Sequence, residues 1–316
     1  MDTLHLVDPA ARDLALAFAA FDPTRQTLDE YRAALDAAIG GASPASSPKF
    51  EEHWAEGLEG QPDVRLLAYR PAETTEPVPA ILFIHASGFI AGRPEWMATA
   101  NQALADEFGA MVVAVNYRLA PEASFPGPLY DCYAALRWLH DQADRLGIDP
   151  GRILVMGESA GGGLAASLAL LARDRREVRL AGQVLVYPML DPRTGTSDAP
   201  LDNPHAGEFV WTRRHNRFGW EAMRGGQNVT EENGAYFAAG LSDDLAGLPP
   251  AFIAVGALDL FVDEDADYAL RLARSGVPVE FHLYPGGIHG FDMTDSSIAE
   301  QYRADRRSAL SRMLAL

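Results

Sequence analysis

The segment Gly157-Glu158-Ser159-Ala160-Gly161 stands between the apolar run Ile153-Leu154-Val155-Met156 and the small-residue stretch Gly162-Gly163-Leu164-Ala165-Ala166. This pattern constrains the fold more than any other feature of the chain: a buried strand must turn sharply into a helix at a serine. Such a turn lifts the serine out of the sheet. Only glycine or another very small residue fits two positions to either side of it, at Gly157 and Gly161, because a larger side chain there would collide with the facing strand and helix. The hydroxyl is thereby presented to whatever occupies the space above the sheet.

A serine hydroxyl is a poor nucleophile until a base takes its proton, and the base needs a carboxylate to fix its tautomer and stabilise the imidazolium. In this strand–serine–helix architecture the acid and then the histidine follow the serine, each after a strand. The run Ala251-Phe252-Ile253-Ala254-Val255-Gly256 ends in Ala257-Leu258-Asp259, and Val279-Glu280-Phe281-His282-Leu283-Tyr284 leads to Pro285-Gly286-Gly287-Ile288-His289-Gly290-Phe291. Asp259 and His289 fit the two roles. Asp191 also follows a strand end, but Pro192 and Arg193 beside it indicate a turn with a local ion pair. The remaining need is a set of N–H groups for an oxyanion. Ala160, the residue after the serine, supplies one, and the loop His85-Ala86-Ser87-Gly88-Phe89 after the strand Ala80 to Ile84 is placed to supply the others.

His85 to Phe89 resembles the H-G-G-G-[FW] loop of the hormone-sensitive-lipase-like carboxylesterases, the bacterial family IV esterases of the α/β-hydrolase superfamily. Tyr117-Arg118-Leu119-Ala120-Pro121-Glu122 matches that family's Y-R-L-A-P-E, Asp259 to Glu264 resembles its D-P-L-R-D-E with Leu260 for Pro, Phe261 for Leu and Val262 for Arg, and Ile288-His289-Gly290-Phe291 matches its I-H-G-F. The similarity runs from about Pro71 to the C-terminus. It implies a serine carboxylesterase with Ser159, His289 and Asp259 as its triad and Ser87, Gly88 and Ala160 as oxyanion donors. It also implies an α-helical cap and a homodimer. Phe89, Phe209, Trp211, Leu260 and Phe291 are expected around the substrate. Ala86 and Ser87 replace two family glycines, so any position there with φ > 0 is strained. Glu158, where the family often carries Asp, reads as a structural acid.

The strands implied by continuous apolar runs, 80–85, 111–117, 152–157, 182–188, 251–256 and 279–284, are those of a parallel sheet buried on both faces. Phe50 to Gly57 and Asp63 to Tyr69 alternate apolar with polar and predict an antiparallel edge hairpin, making eight strands of a mostly parallel α/β sheet with helices on both faces. Residues 1–45 predict two amphipathic helices, Pro9 to Phe21 and Thr27 to Ile39, and 197–247 form an aromatic insertion between the core segments 46–196 and 248–316. Together they form the expected cap. Asp263 and Glu264 read as helix-start carboxylates and Arg118 with Glu122 as an ion pair across a turn.

With 44 acidic against 26 basic residues the chain carries a formal charge of −18, which disfavours nucleic acid and anionic membranes as partners. Lys49 is the only lysine, which disfavours Schiff-base, P-loop and Ser-Lys chemistry. The eight histidines contain no metal-type pairing, and the single Cys132, expected in a buried helix, excludes an internal disulfide. No metal or cofactor is expected, and neither a signal peptide nor a membrane span is apparent, so a cytoplasmic location is expected. The expected partner is a small-molecule ester, of short to medium acyl chain or aryl type. An amidase or an acyltransferase would use the same residues, and a non-catalytic receptor on this fold would lack the complete triad.

Overall fold

Alternate residues of the central strands enter two separate apolar layers, one on each face of a single eight-stranded sheet. Leu82, Ile84, Val113, Val155 and Ile253 belong to one layer, and Ile81, Phe83, Val112, Leu154 and Phe252 to the other. This is why the strands read as unbroken apolar runs rather than alternating ones. The computed structural model describes residues 3–39, 48–72 and 77–315. The strands are β1 (Glu51–Ala55), β2 (Val64–Tyr69), β3 (Val78–Ile84), β4 (Met111–Val115), β5 (Ile148–Glu158), β6 (Gly182–Val186), β7 (Ala251–Gly256) and β8 (Val279–Tyr284). Their order across the sheet is β1-β2-β4-β3-β5-β6-β7-β8. The β1–β2 and β2–β4 pairs are antiparallel and the rest are parallel, so the edge hairpin lies where its alternating pattern predicted.

The helices are α1 (Arg12–Ala17), α2 (Leu28–Ile39), α3 (Ala98–Phe108), α4 (Gly127–Asp141), α5 (Ala143–Leu146), α6 (Ala160–Arg175), α7 (Arg213–Arg224), α8 (Glu231–Phe237), α9 (Val262–Arg274) and α10 (Ser297–Met313). Helices α4 and α6 cover the first layer, α3 and α10 the second. Cys132 is buried within α4. The predicted helix Pro9 to Phe21 is broken into a 3₁₀ turn, α1 and a second 3₁₀ turn ending at Ala20. The predicted strand 182–188 ends two residues early because Tyr187 takes φ +36° and turns the chain beneath Ser159.

Strands β3 and β5 are neighbours, yet the chain leaves β3 toward β4 and leaves β5 toward β6, in opposite directions along the sheet. A crevice therefore opens at their carboxyl ends, where ligands bind in open α/β sheets. The N-terminal segment crosses this end of the sheet. Val7, Ala11 and Ala15 pack with Phe209, Leu258 and Ile288, and the Asp8 N–H donates to the Gly286 carbonyl at 3.0 Å. Asp22 pairs with Arg214 of α7 at 2.5 Å, joining the segment to residues 197–247. The boundary placed at residue 45 and the serines 43, 46 and 47 beside it lie outside the described residues.

The ion pair expected between Arg118 and Glu122 is not formed. Arg118 instead pairs with Asp131 of α4 at 2.8 Å, and Glu122 with Arg32 of α2 at 2.7 Å. Glu264 does start a helix, α9, but it is half-buried rather than freely solvated. Its carboxyl accepts the Leu190 N–H at 2.7 Å and a hydrogen bond from Thr194 Oγ1, tying α9 to the segment after β6, and burial pushes its pKa well up.

Candidate active site

Ser159 follows β5 immediately, with φ +54° and ψ −120°. Three backbone bonds hold this strained turn: its N–H donates to Val186 O at 2.9 Å, and its carbonyl accepts from Gly163 and Met189 at 3.0 Å each. The surrounding glycines are required by close approach. A Cβ on Gly157 would overlap the Gly161 carbonyl, one on Gly161 the carbonyls of Ile84 and His85, and one on Gly163 the Met189 carbonyl.

The loops after β7 and β8 run side by side, linked by Ala257 N–H to Tyr284 O at 2.8 Å and Leu258 N–H to Gly287 O at 2.9 Å. They bring Asp259 and His289 together above the sheet. Asp259 Oδ1 accepts the Phe261 N–H at 3.0 Å, which leaves Oδ2 for His289 Nδ1 at 2.8 Å. The other ring nitrogen, Nε2, lies 2.9 Å from Ser159 Oγ. The carboxylate at Nδ1 selects the tautomer in which Nε2 is the acceptor. All three side chains are buried, and the rings of Tyr187 and Phe261 lie 4.6 and 5.4 Å from the imidazole, so it has little freedom to rotate. Asp191 is occupied elsewhere, paired with Arg193 at 2.6 Å.

The loop after β3 carries three consecutive positive φ angles: Ser87 at 101°, Gly88 at 62° and Phe89 at 68°. Two of the three are not glycine, so the loop stores strain that its contacts must offset. Tyr117 Oη donates to His85 O at 3.0 Å and its ring stacks on the imidazole at 4.2 Å. His85 Nδ1 lies 2.9 Å from Ala86 O, Ala120 N–H reaches Phe89 O at 2.9 Å, and Ser87 O accepts from Ile90 and Ala91. Burial lowers the His85 pKa to about 4, so the ring is neutral. Among the described residues no acceptor takes up the N–H groups of Ser87, Gly88 or Ala160.

Above Ser159 lies a cleft of about 860 Å³. Of the five residues expected around it, Trp211 lines it and the other four do not. Phe89 is turned away against Trp220, with ring centroids 5.1 Å apart. Phe209 fills the small cluster joining the N-terminal segment to the loops of Asp259 and His289, Leu260 packs over Gly207, and Phe291 is buried among Tyr187, Tyr284 and Tyr302. Their hydrophobicity is used for packing. The walls come instead from Phe18, Phe21, Tyr31 and Leu35 of the N-terminal segment and from Trp96, with Glu158 and Tyr187 beside the serine. The signal for the N-terminal residues was their position on one face of the predicted helices. Among the described residues no group of three or more His, Cys, Asp or Glu side chains is placed to hold a metal ion, and no helix is long and apolar enough to cross a membrane.

A serine bonded to a histidine bonded to a carboxylate, on the loops following β5, β8 and β7 of a mostly parallel sheet, defines an α/β hydrolase. The family model described as the α/β-hydrolase fold matches residues 81–293, and the chain belongs to this family as a hormone-sensitive-lipase-like carboxylesterase, a carboxylic ester hydrolase. It is 35% identical over 244 residues to carboxylesterase NlhH of Mycobacterium tuberculosis, covering 74% of this chain and 73% of that one. Ethyl acetate hydrolase of Pseudomonas putida is 30% identical over 235 residues, 73% of this chain and 72% of that protein. The solved structure of a bacterial heroin esterase superposes with a TM-score of 0.89 at 38% identity, covering 99% of both chains.

Proposed function

We propose that this esterase acts through an acyl-enzyme on small esters of short to medium acyl chain or aryl type. Ser159 Oγ attacks the acyl carbon as His289 Nε2 takes its proton, and Asp259 holds the imidazole and stabilises the imidazolium. The carbonyl oxygen becomes an oxyanion among the N–H groups of Ser87, Gly88 and Ala160, where one donor contributes about 10²- to 10³-fold in kcat. His289 then returns the proton to the departing alcohol, freeing it and leaving Ser159 acylated. Water, deprotonated by the same nitrogen, releases the acid and restores the serine. The observation that carries this reading is the unbroken hydrogen-bond chain from Ser159 through His289 to Asp259, opening into a cleft beside unpaired N–H groups. The N-terminal segment and residues 197–247 act as the cap, and their aromatic side chains limit the length of acyl group the cleft accepts.

An organophosphonate ester tests the assignment. It should modify Ser159 stoichiometrically, with the adduct on the peptide containing Gly157 to Gly163, and Ser159→Ala should abolish both labelling and hydrolysis across a chain-length series of activated esters. Labelling at another residue would refute the assignment. Rates rising steadily to long chains would refute the size class.

A further inference from the structure

Glu158 sits directly before Ser159 with its side chain in the cleft, yet it is only 6% exposed and accepts no hydrogen bond among the described residues. Its charged neighbours are Asp292 and Arg306, with Tyr187 and Tyr302 close by. Tyr187 Oη is already given to Asp292 at 2.8 Å, and Arg306 reaches Tyr302 Oη at 3.4 Å. Two carboxyls thus share one guanidinium, and the one in the cleft has that charge near it but no hydrogen bond. The rest of the wall is aromatic: Phe18, Phe21, Tyr31, Trp96 and Trp211 surround the space. Ring faces attract cations, most strongly where water is excluded. No lysine or arginine lines the cleft, and the residues outside the described segments include neither. A carboxylate-bearing ligand would enter without a counter-charge; an ammonium ion would meet both a carboxyl and ring faces.

We propose that the cleft selects esters bearing a tertiary or quaternary ammonium group over neutral isosteres and rejects esters bearing a carboxylate, with Glu158 as the residue that reads the charge. The inference rests on the esterase reading of Ser159. The charge of −18 on the whole chain favours the same ligands at long range. Burial, with Asp292 adding to it, pushes the Glu158 pKa up to about 8. Below that pH the carboxyl is neutral and recognition falls to the rings. Above it the carboxylate is present and the preference for a cation is largest.

Three acetate esters test this: 2-(trimethylammonio)ethyl, its neutral isostere 3,3-dimethylbutyl, and 3-carboxypropyl. Their kcat/KM values are compared within one enzyme from about pH 6 to about pH 9, so that the protonation of His289 cancels in each ratio. The cationic-to-neutral ratio should exceed one and climb on the order of tenfold through about pH 8, with the carboxylate ester slowest. In Glu158→Gln the ratio should stop changing with pH. Tetramethylammonium should inhibit the wild type competitively and more tightly over the same rise, a readout that does not depend on the variant folding. A wild-type ratio at or below one, or a pH-dependent preference that persists in Glu158→Gln, overturns the inference while leaving the esterase reading intact. Failure to hydrolyse even the neutral ester, with Ser159 unlabelled, overturns both.

Discussion

The Cα of Gly161, in the first turn of α6, packs directly against the carbonyl of Ile84, the last residue of β3, with no space for a side chain between them. That contact sets the distance between the helix carrying the Ala160 N–H and the loop carrying the Ser87 and Gly88 N–H groups. Gly161→Ala should therefore lower stability by about 1–3 kcal/mol and reduce ester hydrolysis by more than any accompanying unfolding explains. Gly226→Ala, where a Cβ meets nothing within 4 Å, is the matched control. Thermal unfolding and initial rates read both; equal behaviour of the two variants would contradict the packing argument.

Asp259 and Asp191 are distinguished by their partners. Asp259→Asn should lower kcat by up to about 10⁴-fold by favouring the wrong imidazole tautomer. Asp191→Asn breaks only the pair with Arg193 and should leave kcat nearly intact. Steady-state kinetics with one activated ester decides, and the reverse order would move the acid to Asp191.

At φ 101° Ser87 occupies a conformation that glycine adopts without strain. Ser87→Gly relieves about 1–3 kcal/mol of strain against an unfolded-state entropy cost of about 0.4–1 kcal/mol, so the net expectation is a gain of about 1 kcal/mol. Activity should stay within about tenfold if the backbone N–H is the donor. Proline is unsuitable as a donor-removing probe here because its ring locks φ near −65° and would break the loop. A loss of a hundredfold or more in Ser87→Gly, with the fold intact by circular dichroism, would assign the donor to the hydroxyl.

Asp265 is fully buried on α9, and neither carboxyl oxygen has a partner among the described residues. Burial, with Glu264 and Asp259 adding to it, raises its pKa well above the usual carboxylate range. The unfolded chain ionises this group near pH 3.9 while the folded chain keeps it protonated, so the unfolded state binds fewer protons and stability falls as pH rises. Asp265→Asn removes the titration. It should be more stable than wild type at neutral pH by on the order of 1–3 kcal/mol, and the gap should close as pH falls toward 4. A gap independent of pH, measured by denaturant unfolding, would show that Asp265 does not titrate in this way.

Residues close in the chain, or patterned at the period of one element, announced themselves in the sequence. The elbow at Ser159 is visible because its requirement for glycines is local, and the parallel strands are visible because burial on both faces leaves no polar alternation. Asp259 and His289 could be picked out because each follows a strand of the parallel sheet, although only β7 is buried on both faces; β8, expected to be so too, lies at the edge of the sheet and is partly exposed. Side chains that find their partners across the fold were not legible. Periodicity states that a residue is buried but not against what, so Phe209, Phe89, Leu260 and Phe291 read as cleft residues and were spent on packing. The walls were instead supplied by Phe18, Phe21, Tyr31 and Leu35, more than a hundred residues before the serine. Arg118 and Glu122 looked like mutual partners four residues apart, but α4 and α2 offered each a better one. Glu158 passed as a structural acid because the shortage of counter-charge around it exists only once Asp292 and Arg306 are folded against it. Local sterics and burial are written into consecutive residues; pairing, charge balance and the shape of the cleft depend on contacts between distant segments, and only the tertiary structure decided them.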